Sequence, residues 1–263
     1  MRFGELFGKS WQEYKSNFRV FLIIFLLLSV IPSIIYFAGS MPFNLKFLQF
    51  TGSGLSEMFS LVLQLKYLIP AIILGILMFL LGLLMSASFV YNSLYRKKEM
   101  SVRETLLGGK KYFWKYFLFS IVYFVFLALL FLLFIIPGII FLIFWIFASY
   151  ILIGENKGIL ESLKTSHDIV RGKWWRVFGF ALLFGLIMIA ISIGFSIVGG
   201  IVNIIIGLPH LIKGATQTSF VYILTEFVRT LANLGAGLIT APWSILFFKN
   251  FYLDLKKGGK SKK

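Results

Sequence analysis

Cysteine is absent from this 263-residue sequence, which excludes disulfides, thiolate metal sites and a cysteine nucleophile. Acidic residues are also few: 10 Asp and Glu stand against 26 Lys and Arg, which gives a net charge of +16. Only 14% of the residues are charged, whereas a soluble domain has about a quarter. The scarcity of charge therefore argues against a soluble protein.

The sequence also lacks the motifs of common enzyme classes. It has no Gly-x-Ser-x-Gly elbow, phosphate loop or dinucleotide fingerprint. Its two histidines, His167 and His210, have no second histidine or carboxylate cluster in metal-ligand spacing. Ser166 and His167 are adjacent, and neighbours on a helix point in different directions. We therefore expect no enzyme activity, no cofactor and no bound metal.

Apolar residues dominate what is present. The chain is 59% hydrophobic, with a mean hydropathy of +0.91. This apolar surface is too large for one globular core, so lipid is the natural solvent, and a spanning helix needs roughly 20 apolar residues. The predicted spans are Val20–Phe37, Tyr67–Tyr91, Tyr116 to about Ile136, about Gly138 to Gly154, Val177–Val198 and Leu231–Leu253.

The third and fourth spans come from one uncharged block with Pro137-Gly138 in its middle. Proline removes a backbone donor and glycine eases a reversal, so this pair predicts a hairpin. The alternative is one buried, kinked helix. Outside the spans the sequence predicts an external loop with some interfacial helix over 38–66, a linker over 199–219, an outer interfacial helix over 220–230 and a disordered tail over 256–263.

The loop charges are strongly asymmetric. Of the 26 Lys and Arg, 22 lie before the first span, between the second and third, between the fourth and fifth, or from Lys249, near the end of the sixth, to the last residue. Membrane proteins carry such an excess in their cytoplasmic loops. We therefore expect a multi-pass protein of the cell membrane with both termini in the cytoplasm. The positive charges would contact anionic lipid headgroups rather than nucleic acid.

An internal repeat accompanies the apolar stretches. Its copies read Glu5, Ser10, Tyr14, Phe18; Glu104, Gly109, Phe113, Phe117; and Glu161, Ser166, Val170, Trp174. Fixed internal similarity predicts a repeated folding unit. We predict a single all-α membrane domain over 1–255, built from units 1–98, 99–155 and 156–255. Each unit would be a cytoplasmic amphipathic helix followed by a transmembrane hairpin.

The repeated residues have structural explanations. Ser101 and Glu104 form a capping-box pattern, and a glutamate in a first turn favours the exposed amides. Aromatic and basic side chains at the end of each copy are typical of anchoring at headgroup level. The sharper hypothesis is a specific site for anionic lipid or a protein partner. Its residues would be Lys110, Lys111, Lys115, Arg171, Lys173, Trp174, Trp175 and Arg176.

Several short motifs resemble those of a known family. They are Ile136-Pro137-Gly138, Glu161 to Ser166 followed by Gly172-Lys173-Trp174, and Pro242 followed by Tyr252-Leu253-Asp254-Leu255-Lys256. The chain is similar in these to the prokaryotic six-span family that includes the membrane domain of some glycerophosphodiester phosphodiesterases. Ser162-Leu163 stands where that family usually has Ala-Leu, and Lys256 stands where it usually has arginine. The resemblance implies a six-span fold and no phosphodiesterase activity, because the catalytic barrel is a separate domain.

Two functions remain open. The leading hypothesis is a non-catalytic scaffold or interaction module whose basic face binds lipid headgroups or a partner protein. The alternative is a permease or a transporter of lipids or small molecules, although carriers usually place ionisable groups deep in the bilayer. The sixth span and the interfacial helix before it offer residues for a pore or for close packing, and small residues four apart favour packing. These residues are Glu226, Arg229, Asn233, Gly235, Gly237 and Pro242.

Overall fold

The computed structural model describes residues 1–48, 65–95, 100–212 and 219–260, which are almost entirely helical. Six of its helices are long and apolar enough to cross a membrane. An all-helical architecture of the multi-pass membrane type is therefore confirmed. In chain order the helices are α1 (Phe3–Phe25), α2 (Ile31–Leu48), α3 (Leu65–Tyr95), α4 (Val102–Leu133), α5 (Ile135–Phe144), α6 (Ala148–Gly154), α7 (Ile159–Val170), α8 (Trp174–Ile212) and α9 (Ser219–Lys260).

The first helical segment is longer than the sequence predicts. α1 continues through a π-helical segment, Leu26–Val30, directly into α2. The segment 38–66, predicted as an external loop with some interfacial helix, is helical as far as Leu48 and continues the first span, and the part from 49 to 64 lies outside the described residues. Apolar residues keep recurring through 38–48, so they extend the helix despite the low helix propensity of one glycine and one proline.

The first two repeat copies run without a break into the apolar stretches that follow them. α1 contains the whole first copy, and α4 contains the whole second copy. Only the third copy is interrupted, between α7 and α8. In these two helices no turn separates the repeated residues from the apolar stretch that follows them.

α4 and α5 form the predicted hairpin, so the single kinked helix does not occur. The reversal lies at Phe134, whose extended backbone (φ −160°, ψ 139°) separates the two helices. Pro137 sits in the first turn of α5, where a missing N–H leaves no helical bond unmade. Gly138 serves close approach, because a Cβ there would lie 2.6 Å from the Phe131 ring.

α8 also exceeds its predicted span. It continues to Ile212, so the linker predicted over 199–219 is helical up to that residue, and 213–218 lies outside the described residues. Gly199 lies inside this helix and approaches Ala232 closely, because an added Cβ would be 3.0 Å from the alanine methyl. This glycine therefore serves packing rather than chain reversal.

α9 joins segments that the sequence separates. The helix predicted over 220–230, the sixth span and the first part of the tail predicted over 256–263 lie in one helix that ends at Lys260. The last three residues lie outside the described part of the chain. Glu226 and Arg229 pair at 2.6 Å within α9, and this pairing lowers the cost of two charges in an apolar helix. Pro242 lies inside α9 without ending it.

Contacts divide the chain into two compact units. The first comprises Met1–Ile24, Leu83–Ala190 and Leu238–Lys263, and the second comprises Phe25–Gly82 and Ile191–Gly237. All eight residues of the predicted lipid or partner site belong to the first unit.

The core of the first unit is rich in buried aromatic rings. Phe184 stacks on Phe247 with centroids 4.1 Å apart, and Phe21 meets Phe89 edge-on at 4.9 Å. All four side chains are at most 1% exposed. Buried aromatic side chains contribute large apolar areas and prefer these geometries, so they hold the helices of this unit in register.

Candidate interaction surface

The structure separates the predicted contact residues into an exposed group and an internally bonded group. Lys110, Lys111 and Arg171 are exposed, Lys173 is half-buried, and Trp175 is 78% exposed. By contrast, the remaining three predicted residues make contacts within the fold. These are Lys115, Trp174 and Arg176.

The turn between α7 and α8 positions the cations at 171 and 173. Arg171 ends α7 and its N–H bonds the carbonyl of His167 at 2.8 Å. Gly172 has φ +77°, a left-handed conformation that favours glycine. The N–H of Lys173 then bonds the carbonyl of Val170 at 2.9 Å. This hydrogen-bonded turn presents the two cations on either side of the glycine.

The adjacent tryptophans of α8 have different surroundings. The indole N–H of Trp174 donates to the carbonyl of Ile140 at 3.3 Å. The Trp174 ring stacks on the Phe178 ring with an angle of 7° between the two ring planes. Trp175 instead remains mostly exposed. Trp174 therefore anchors the start of α8, and Trp175 is the side chain that is available to a membrane interface or a partner.

Close packing fixes the segment of α4 that carries Lys110 and Lys111. The preceding Gly109 faces Ser88, and a Cβ at that glycine would lie 2.7 Å from the Ser88 Cα. Lys111 lies over the ring of Tyr112 at 5.7 Å, and Trp114 is 71% exposed. We define the basic surface by the exposed or half-buried residues on α4 and around the α7–α8 turn: Lys110, Lys111, Trp114, Arg171, Lys173 and Trp175.

Two of the predicted contact cations are occupied by the fold itself. The ammonium of Lys115 donates to the backbone carbonyl and side-chain oxygen of Asn156, at 3.0 and 2.8 Å. The guanidinium of Arg176 contacts Asp254 at 3.2 Å. Both cations therefore connect elements within the first unit, which leaves them less available to an external ligand.

A charged network centred on Glu155 was not predicted from the sequence. Tyr252 donates to its carboxylate at 2.6 Å, Lys256 donates at 2.8 Å, and Lys157 lies 3.4 Å away. Partial burial alone would raise the pKa of Glu155, but the hydrogen bonds from Lys256 and Tyr252 and the nearby cations hold that pKa below its usual value. The four-residue spacing of Tyr252 and Lys256 was the only sequence signal, and it does not identify their partner.

A second unpredicted network joins α1 to α9. The ammonium of Lys249 lies 2.6 Å from Glu13, and Asn250 donates to the same carboxylate at 3.2 Å. Lys249 is only 6% exposed, although its charge contributes to the predicted cytoplasmic excess. The side-chain oxygen of Asn250 is buried without a hydrogen-bond partner among the described residues. This lysine holds two helices together instead of facing a ligand.

The Ser-His pair in the third repeat copy does not form a catalytic arrangement. Ser166 is buried, donates to the carbonyl of Phe144 at 2.7 Å and accepts from the N–H of Phe147. His167 lies against the Phe144 ring and 3.5 Å from Asp168. Within the described ranges, no group of three or more His, Cys, Asp and Glu side chains is placed to hold a metal ion.

Two of the predicted pore or packing residues of α9, both glycines, lie against side chains of neighbouring helices. A Cβ at Gly235 would lie 2.6 Å from the ring of Phe195, and a Cβ at Gly237 would lie 3.3 Å from Phe25. Asn233 is exposed, and Pro242 is buried. The contacts of the two glycines favour close packing, because an added methyl group would collide with a neighbouring ring or tighten against it.

Comparison with protein-family models, with curated proteins and with solved structures finds no match to this chain. Only the residues themselves therefore indicate its class: the described ranges are almost entirely helical and contain six helices that are long and apolar enough to cross a membrane.

Proposed function

We propose that this chain is a non-catalytic, multi-pass membrane protein that serves as a scaffold or interaction module. The basic surface is the observation that carries the proposal. Lys110, Arg171 and Lys173 form no ion pair with any residue that the structure describes, and two mostly exposed tryptophans accompany them. Cations beside interfacial tryptophans match an anionic headgroup layer or an acidic partner surface.

We also propose the three-unit organisation, and the buried small residue of each repeat copy supports it. Ser10 accepts a hydrogen bond from Trp243 on α9 at 3.1 Å, Gly109 packs on Ser88 of α3, and Ser166 bonds the α5 carbonyl at Phe144. Each copy therefore contacts the second spanning segment of the preceding unit. The first copy contacts that of the last unit, so the order of contacts is cyclic.

The cellular placement belongs to the same proposal. Residues 1–255 would form one membrane domain of a prokaryotic protein, related to the six-span family named above. This domain would lie in the cell membrane with both termini in the cytoplasm. The asymmetry of 22 among 26 Lys and Arg supports this orientation. The basic surface would then face anionic lipid on the inner leaflet.

The lipid part of the proposal is tested on the full-length protein in a neutral detergent. Native mass spectrometry counts the phosphatidylglycerol or phosphatidylcholine molecules that the protein retains during a titration. A variant with the four basic-surface cations changed to Gln should lose about tenfold or more in apparent affinity for phosphatidylglycerol, because each cation contributes roughly 1 kcal/mol near an anionic surface. The four substitutions are Lys110→Gln, Lys111→Gln, Arg171→Gln and Lys173→Gln.

A matched control has the same change in net charge at other exposed positions. Its substitutions are Lys9→Gln, Lys15→Gln, Arg103→Gln and Lys164→Gln. Equal losses in the two variants would show that only overall charge matters and would contradict a specific surface. The same spectra test the alternative function, because a retained small solute would favour a transporter and a stoichiometric protein partner would favour a scaffold.

A further inference from the structure

A cleft of about 530 Å³ lies beside the start of α4, and none of its lining residues belongs to the basic surface. Ser16, Asn17 and Arg19 line it from α1 together with Val20 and Ile23. Its volume is in the range of small-molecule sites, roughly 300–1,000 Å³. The cleft therefore has space for a ligand group and a mixed polar and apolar wall.

The cleft lies at the boundary between the charged and the uncharged parts of α1. Arg19 is the last charged residue before the uncharged stretch from Val20 to Leu45. It is exposed and forms no ion pair with a described residue. Val20 and Ile23 continue the wall along the apolar side. One wall therefore offers a cation at one end and apolar contact at the other.

The polar end has a clear order of donors and acceptors. Asn17 is 4% exposed, and its amide nitrogen donates to the carbonyl of Glu13 at 2.8 Å. The side chain of Ser101 is already engaged, because Glu104 accepts from it and donates to it in the capping box. The Glu104 carboxylate occupies the start of α4, so Arg19 is the group in the cleft wall that would bind an anion.

We propose that this cleft binds the anionic phosphodiester headgroup of a membrane phospholipid. The guanidinium of Arg19 pairs with the phosphate, because a planar guanidinium can bind two phosphate oxygens at once. Val20 and Ile23 contact the glycerol and the start of the acyl chains. The site shares no residue with the basic surface and does not depend on it.

The proposal is tested by the lipids that full-length protein retains in native mass spectrometry. The probes are phosphatidylglycerol, phosphatidylcholine and the soluble headgroup analogue glycerol 3-phosphate. Arg19→Gln should weaken the tightest phosphatidylglycerol site about tenfold, the effect of losing a hydrogen-bonded charge. Arg103→Gln removes the same charge from the first turn of α4, at a residue that does not line the cleft, and should leave that site within about threefold of wild type.

A second variant fills the cleft without changing its charge. Ser16 lies at the exposed edge of the wall, so Ser16→Trp should block the lipid while the fold, monitored by thermal unfolding, is retained. Equal weakening by the two arginine variants, or unchanged binding in both Arg19→Gln and Ser16→Trp, would overturn the site. Displacement of the lipid by millimolar glycerol 3-phosphate would also overturn it, since the occupant would then be a soluble phosphate. Failure of the four-cation variant described above would leave these outcomes unaffected.

Discussion

Tyr252 donates a 2.6 Å hydrogen bond to Glu155, although the two residues are 97 positions apart in the chain. Glu155 follows the last residue of α6, and Tyr252 lies near the end of α9. Lys256, one turn further along α9, donates to the same carboxylate oxygen. The end of one helix is therefore tied to another by a charged hydrogen-bond network.

Removing the Tyr252 hydroxyl should weaken this tie. We expect Tyr252→Phe to lower the free energy of unfolding by about 1 kcal/mol, because a hydrogen bond to a charged group is lost at a partly solvated site. The measurement is unfolding of the purified protein in mixed micelles. Tyr95→Phe is a matched control, since its hydroxyl donates to a neutral backbone carbonyl, that of Ile153. A larger effect in the control would contradict the importance of the charged partner.

The same network predicts a pH dependence. The pKa of Glu155 is held below its usual value in the folded state, so its contribution to stability is present above the unfolded pKa near 4.5. That contribution should be lost as the pH falls through the folded pKa. Glu155→Gln should be less stable than wild type at pH 7, and the difference should shrink toward pH 3. A difference that grows as the pH falls would contradict this account.

Local sequence patterns predicted the features that depend on neighbouring residues. The capping box of Ser101 and Glu104 is present as expected, with the N–H of each residue bonded to the side chain of the other. The pair of Glu226 and Arg229 is also found, and so is the hairpin, although the chain reverses at Phe134 and Pro137-Gly138 lies within α5. In each case the interacting residues are a few positions apart, so helical spacing or turn chemistry alone was sufficient.

Helix ends and long-range pairs were not predictable in the same way. The sequence suggested breaks at glycine and at isolated charges, yet α8 and α9 continue through both. Helix packing determines whether these helices continue, because Gly199 and Gly235 let neighbouring side chains approach the backbone. The pairs Glu13–Lys249 and Glu155–Tyr252 depend on the register between helices. Their separations of 236 and 97 positions leave no local signal.

Gly109 should be intolerant of even one added methyl group. Its Cβ would lie 2.7 Å from the backbone Cα of Ser88, which cannot move without shifting α3. We expect Gly109→Ala to destabilise the protein by about 1–3 kcal/mol. Gly8→Ala is the control, because nothing lies within 4 Å of its Cβ and alanine is the better helix former. Thermal unfolding should rank the control at or above wild type, and equal destabilisation of both would contradict the close contact.

The ion pair of Glu13 and Lys249 should behave as a coupled unit. Lys249 is buried, so Glu13→Gln leaves a charge without its carboxylate partner and should cost about 2–3 kcal/mol. The double variant with Lys249→Gln should cost less than the sum of the single variants, because it leaves no unpaired charge. A double-mutant cycle of unfolding free energies measures the difference. Additive losses would show that the 2.6 Å pair contributes no coupling energy.

Substitutions of the two neighbouring tryptophans should have different effects, one on the stability of the fold and the other on contact with the bilayer. Trp174 stacks on Phe178 and bonds a carbonyl of α5, so Trp174→Ala should lower the unfolding free energy by about 3 kcal/mol. Trp175 is 78% exposed, so Trp175→Ala should change that free energy by less than about 0.5 kcal/mol. The exposed tryptophan should instead affect contact with the bilayer, measured by quenching of tryptophan fluorescence with brominated lipids. A stability loss at Trp175 as large as that at Trp174 would show that Trp175 is part of the core and would remove it from the basic surface.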